Sequence, residues 1–223
     1  MTELKKSLQY FFSVEGFNEE WYFEHLQKLI NNSTEISYKV DFRVKIEKSP
    51  VSRMKSITIP TFGNQKIKVF HISDYESNDK IHQNQFYGIL DELKSINTKN
   101  SNYKFELGYS NFAFELWLLL HKEYNFTSLL HRDDYTKPLN NAYGTNFVRI
   151  KENKHREPFH KLLSQIELSD VKRALKNAEK IRPMQIRNGY SMVEYKGFQY
   201  FRKNPDLTVN ECVKQILKDC KII

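Results

Sequence analysis

Residues 11–22, FFSVEGFNEEWY, carry an aromatic, β-favouring run straight into Glu15-Gly16 and then into a second pair of carboxylates, Glu19 and Glu20. Two readings fit the segment. In the first it is a strand, a tight turn and a helix whose acidic first turn complements the positive end of the helix dipole. In the second, Glu15 stands at the carboxyl end of a buried strand, where open α/β sheets bind their ligands. Both make the segment strand–turn–helix, and the segment alone does not choose between them. Tyr22, Leu26, Leu29 and Ile30 continue at helical spacing, Asn18 is a suitable cap, and Asn31-Asn32 ends the run.

The same alternation extends through the first half of the chain. YKVDFRVKI (38–46) alternates apolar and charged residues, the pattern of a half-exposed strand. Residues 47–65, with Pro50, Pro60 and Gly63, read as a loop holding at most one short element. IKVFHIS (67–73) is a buried-type strand running into DYESND, NQFYGILDELKSI (84–96) is helical, and YKFELGYS (103–110) is strand-like. NFAFELWLLLHKEY is apolar on nearly every side and reads as a buried helix, with Ser110 and Asn111 placed to cap it. Strands alternating with helices predict an α/β fold: a mainly parallel open sheet flanked by helices. After about residue 130 the texture changes to a turn-rich loop and then helical segments, with Ser169 and Thr208 as candidate caps. The expected division is an α/β core over 1–130 and a basic, mainly helical portion over 131–223, packed on that core.

Charge follows the same division. Residues 1–130 hold 16 Lys+Arg and 16 Asp+Glu, whereas residues 131–223 hold 19 against 11, so the whole net charge of +8 lies in the last part. A one-sided excess of this kind suits a polyanion-facing surface, with a plain solvated face as the alternative. No apolar run approaches the roughly 20 residues of a membrane span. The first residues lack a secretory leader's cleavage pattern. Cys212 and Cys220, eight apart on an expected helix, are about 12 Å apart along its axis, too far for a disulfide. The expectation is a cytoplasmic protein with ordinary thiols and no membrane partner.

Three acidic residues follow strand ends: Glu15 after the first, Asp74 and Glu76 after KVFHIS. In a parallel sheet these ends share one edge, so carboxylates distant in sequence can converge. Hard divalent ions such as Mg²⁺ take oxygen ligands and neutralise charge on phosphate. By spacing alone, D-x-E is equally a pair of solvated loop carboxylates. Glu115 is the less ordinary residue, because its neighbours in FAFELWLLL are apolar on every side and a carboxylate there needs a partner. His121 is expected to be structural. RIKENKHREPFHK (149–161) gathers Lys151, Lys154, His155, Arg156 and Lys161 without a zinc-type ligand pattern, and suits phosphate contacts, with a plain solvated face as the alternative.

SVEGFNEEWYFEHL, FHISDYE, YSNFAFELWLLLHKE, ALKNAEKI and NPDLTVNECVKQIL, in that order over nearly the whole chain, resemble the successive signatures of the RloB-like family. That family includes the AbiLii component of abortive-infection loci and is regarded as part of the Toprim superfamily. The resemblance implies a Toprim-like sheet, a metal-dependent nuclease using Mg²⁺ (or Mn²⁺), a role in phage defence, and an AAA-type ATPase encoded nearby as partner. By position it implies catalytic roles for Glu15, Asp74, Glu76 and Glu115, with Glu15, Asp74 and Glu76 as metal ligands. Glu76 stands where the Toprim pair has a second Asp, Phe112-Ala113 where the family more often has Pro and a small residue, and Asn18 where Thr is usual. Two other classes stay open: a non-catalytic nucleic-acid-binding or regulatory partner of the ATPase, and a Toprim ribonuclease acting on tRNA.

Overall fold

The computed structural model describes residues 6–58, 66–100, 102–123, 128–149 and 156–223, apart from the Arg156 side chain. The first half runs β1 (Ser7–Val14), α1 (Phe17–Asn32), β2 (Lys39–Ile46), α2 (Pro50–Ser56), β3 (Ile67–Asp74), α3 (Lys80–Lys99) and β4 (Tyr103–Asn111). The short helix α4 (Glu115–Leu120) and a 3₁₀ turn (Arg132–Tyr135) follow, then α5 (Thr136–Tyr143), α6 (Arg156–Leu163), α7 (Leu168–Ala178) and α8 (Ile181–Arg187). A hairpin of β5 (Val193–Tyr195) and β6 (Phe198–Tyr200) precedes β7 (Asp206–Leu207) and α9 (Val209–Asp219).

The main sheet has the order β2-β1-β3-β4-β7. β1 pairs in parallel with β2 and β3, β3 in parallel with β4, and β7 joins β4 antiparallel. The fold is therefore the expected α/β type, a mostly parallel five-stranded sheet flanked by helices. Chain direction along the sheet reverses between β1 and β3: the first crossover leads outward to β2, the next returns past β1. Such a switch point leaves a crevice beyond the carboxyl ends of the two strands. Glu15 directly follows β1 and Asp74 is the last residue of β3, so the crevice is lined with acid from both.

The alternation of β1 sorts its side chains onto two layers. Tyr10 and Phe12 join Phe42 of β2 and Phe70 of β3 in an aromatic layer, and Phe12 meets Phe23 of α1 at 4.3 Å between ring centres. Burying each such ring stabilises the fold by roughly 2–3 kcal/mol. On the opposite face Phe11 lies under the Arg53 guanidinium of α2, which donates to the Phe12 and Arg43 carbonyls. At Gly108 a Cβ would stand 2.7 Å from Ile72 Cδ1 and 3.0 Å from Cys212 Sγ, so the missing side chain lets α9 close onto β4.

Several local expectations are corrected. The residue capping α1 is Gly16, and Asn18 sits inside the helix with its amide turned into the protein. Ser110 and Asn111 belong to β4 rather than capping a helix; Asn111 donates to the Phe201 carbonyl. The apolar segment that follows makes only six helical residues. A capping box of Glu167 and Asp170, not Ser169, starts α7. Thr208 holds the cap position of α9, but its hydroxyl is spent on the Leu107 carbonyl and Tyr109 N–H of β4. The last third also contributes strands. Lys196 and Gly197, both at positive φ (55° and 89°), form the two-residue turn of the β5–β6 hairpin. Among the described residues, no helix is long and apolar enough to cross a membrane. Cys212 and Cys220 are free and buried.

Candidate active site

Glu15 leaves β1 at the point where Gly16 opens α1, and its carboxylate turns toward β3. Its Oε1 accepts from Ser73 Oγ at 2.6 Å and from the Asp74 N–H at 3.1 Å, while Lys48 Nζ lies 4.0 Å from Oε2. The two strand ends are thus tied through one carboxylate. Burial raises the Glu15 pKa; the Ser73 hydroxyl, Lys48 and the Asp74 N–H pull it back.

Asp74 closes β3 with a side chain only 7 % exposed. Burial drives its pKa well above the usual aspartate value, and the charges of Glu19 and Glu15 push the same way, with Arg132 opposing. Tyr75 then turns away from the crevice, its ring buried against Phe86 of α3 and Tyr200 of β6. Glu76 returns to it. Its φ of +56° is a left-handed conformation that side chains beyond Gly and Asn rarely adopt, and the Ser77 N–H bonds the Tyr75 carbonyl at 2.7 Å around it. Strain of this kind persists where surrounding structure enforces it, most often at functional sites. Glu76 is held by Arg132 Nη1 at 2.8 Å and His82 Nε2 at 2.9 Å.

Glu115 begins α4, is 2 % exposed, and accepts from Asn18 Nδ2 at 3.0 Å. Its helix is apolar because it is packed on all sides, and the carboxylate is the end that reaches the crevice. Glu19 completes the set. It lies at the start of the buried stripe of α1 that Tyr22, Leu26 and Ile30 continue, is 7 % exposed, and burial lifts its pKa to about 7, with Glu115 and Glu15 adding to the rise.

Glu15, Glu19, Asp74, Glu76 and Glu115 therefore line one cavity of about 80 Å³, with Arg132, Lys48 and Asn18 among its other walls. Arg132, from the 3₁₀ turn, bonds Glu76 and approaches Asp74 at 3.8 Å. Burial works against its charge, yet Asp74, Glu115 and Glu76 outweigh that and raise its pKa. Among the described residues, five carboxylates thus face one half-buried guanidinium and one exposed ammonium. All the donors are hard oxygens, the chemistry a Mg²⁺-type ion takes. With Arg132 standing among them, no three His, Cys, Asp or Glu side chains of the described residues are set at metal-holding spacing.

His121 is structural in its contacts: buried, bonded to Tyr22 Oη and the Trp117 carbonyl, with its pKa pushed down to about 4 by burial. Of the expected nucleic-acid contacts, Lys151, Lys154 and His155 lie outside the described residues, and Arg156 is described only as the first residue of α6. Lys161 is exposed on that helix. Phe159 and His160 of α6 pack against Trp21 of α1, which brings Lys161 to the α1 side of the molecule.

The sequence profile of the family described as RloB-like protein matches residues 10–216. No curated protein and no solved structure matches the chain. The profile covers most of the chain, and the chain belongs to the RloB-like family.

Proposed function

We propose that this RloB-like protein is a Toprim-type, metal-dependent nuclease of the AbiLii kind, acting in phage defence beside an AAA-type ATPase. One observation carries the reading: five carboxylates from two strand ends and two helix starts meet in a single cavity at the sheet's switch point, with too little positive charge among the described residues to balance them. A structural ion pair has no use for such a surplus, whereas a metal-assisted phosphoryl site requires it.

Asp74 and Glu76, with Glu15, would hold Mg²⁺ or Mn²⁺. The ion, when bound, lowers the pKa of a water and offsets charge on the phosphodiester. The protein's own groups supply the rest. Ser73 and the Asp74 N–H fix the Glu15 carboxylate in place. Glu19, with a pKa of about 7, takes up or gives a proton near neutrality, where a general acid–base group works best. Lys48 at the mouth and Arg132 within are the cations available to phosphate oxygens. For Arg132 to serve, it must leave Glu76.

That requirement gives a second reading its support. The Arg132–Glu76 and Arg132–Asp74 contacts hold the carboxylates as an internally paired cluster, which suits a nucleic-acid-binding partner of the ATPase that does no chemistry. The test is cleavage of labelled DNA and RNA, tRNA included, in Mg²⁺, in Mn²⁺ and in chelator, with and without the ATPase. Metal-dependent cleavage that drops at least 100-fold in Asp74→Asn is expected. Equal cleavage by wild type and variant removes the catalytic assignment.

A further inference from the structure

A second cavity, of about 370 Å³, opens against the acidic one and shares Glu15, Lys48, Asp74 and Glu76 with it. The acidic cavity, at about 80 Å³, has room for an ion and a phosphate oxygen but not for a ring. Its neighbour falls in the 300–1,000 Å³ range of small-molecule sites. Its far wall is the middle of α3, where Phe86 and Ile89 give an apolar surface and Gln85 and Glu92 give polar edges.

Gly88 lies between these residues. It is exposed, in the interior of a 20-residue helix, and a Cβ built on it meets nothing within 4 Å. Glycine there costs backbone entropy, and any residue except proline would favour the helix. No close approach and no positive φ demands it. What its missing side chain does is widen the groove at mid-wall.

Glu92 is held rigidly on the other side. Its Oε2 accepts from Ser49 Oγ at 2.8 Å and from the Val51 N–H at 3.0 Å, so the carboxylate is fixed at the groove edge as an acceptor. A carboxylate in that position recognises an exocyclic amino group on a base, as acidic side chains do with cytosine N4. Lys48 stands at the seam between the two cavities, 4.0 Å from Glu15, where a phosphate joining them would lie.

We propose that this groove is a nucleoside subsite: it takes the sugar and base next to the phosphate that lies at the acidic centre, preferring an amino-bearing base. The assignment rests on the nuclease reading for its biological occupant, but the groove is open to direct test with mononucleotides. The probes are cytidine and uridine 5′-monophosphate, titrated into the full chain with Mg²⁺ and followed by ligand-observed NMR.

Cytidine monophosphate should bind wild type several-fold more tightly than the uridine compound. Gly88→Leu should weaken it at least 10-fold while the melting temperature holds or rises, and Gly88→Ala should bind within about twofold of wild type. Gln85→Trp, at an exposed position on the same wall, blocks the groove without a backbone change and should reproduce the loss if Gly88→Leu folds poorly. Absence of mononucleotide binding, or equal binding by wild type and both blocked variants, overturns the subsite even if the protein cleaves nucleic acid. Equal affinity for the two nucleotides overturns the role given to Glu92. Loss of cleavage in Asp74→Asn is a separate result and decides only the nuclease reading.

Discussion

Asp206 and Asp74 are both buried aspartates with an arginine beside them, and they are built on opposite principles. Asp206, on β7, receives Arg182 Nε on Oδ1 at 2.9 Å and Arg182 Nη2 on Oδ2 at 3.3 Å. The Phe201 N–H at 3.0 Å and the Tyr109 hydroxyl complete Oδ2. One negative group meets one positive group, and both oxygens have donors. Asp74 shares its single guanidinium with Glu76 and sits in a cavity with four other carboxylates. Burial raises the pKa of both aspartates, so a raised pKa does not separate them. Surplus charge does. A balanced pair ties α8 to the sheet edge; an unbalanced cluster stores a demand for a cation.

The largest effect that could break this contrast is on stability. Asp206→Ala takes the fully buried acceptor from the Tyr109 hydroxyl and the Phe201 N–H and the carboxylate from half-buried Arg182, and should cost about 2–5 kcal/mol, read as a fall in the urea midpoint. Asp74→Asn should cost nothing or stabilise, because it relieves repulsion. Equal destabilisation by the two substitutions would mean that both centres are structural.

Arg132→Gln comes next. Removing the inner cation should lower stability at pH 8 by roughly 1–3 kcal/mol, the cost of leaving charged groups unsatisfied. Adding Mn²⁺ should restore it, and the Mn²⁺ dissociation constant should tighten several-fold. A weaker Mn²⁺ affinity in this variant would show that Arg132 supports the ion rather than standing in for it.

Glu19→Gln tests the surplus by pH. Glu19 moves from an ordinary value of 4.5 to about 7 on folding, so the folded state holds its proton longer. Its charged form penalises the fold fully above pH 7 and not at all below about 4.5. The variant, neutral throughout, should gain up to about 3 kcal/mol over wild type at pH 8 and close to nothing at pH 4, since each pKa unit is worth about 1.4 kcal/mol. Comparing the two proteins at each pH cancels the opposite trend from His71, which burial pushes down to about 3. A gain that does not depend on pH would place Glu19 outside the charge cluster.

The smallest effect belongs to the basic side. Lys161→Glu, exposed on α6, should weaken nucleic-acid binding a few-fold regardless of sequence and flatten the salt dependence by about one unit of slope. Unchanged binding would move the interface away from α6.

Four of the five clustered carboxylates were legible because each broke a local rule: Glu15, Asp74 and Glu76 end apolar strands, and Glu115 interrupts an apolar run. Glu19 was read as an ordinary first-turn acid, although its spacing to Tyr22, Leu26 and Ile30 already put it on the buried stripe of α1. Arg132 left no signal. It comes from a turn-rich segment without periodicity, and only tertiary packing carries it to the acids. Asn18 looked like a cap because Asn suits caps, and its amide proved to serve Glu115 97 residues away. The β5–β6 hairpin hid for a similar reason: Lys196-Gly197 makes its turn in place of the more recognisable Asn-Gly.

The late closure of β4 has a consequence for the order in which the protein is made. β7 pairs with β4 through Ser110 and Asn111, α9 packs on the same strand, the Tyr10 hydroxyl donates to Asp219, and the Ser37 N–H to the Cys220 carbonyl. Every acidic residue of the cavity leaves the ribosome before the segments that seal the sheet. At about 5–20 residues per second, the roughly hundred residues after Glu115 take on the order of 5–20 s to synthesise. During that interval a nascent chain carries the carboxylates but has neither the closed edge nor the β7 clamp. The five carboxylates are thus made well before the segments that close the sheet edge beside them.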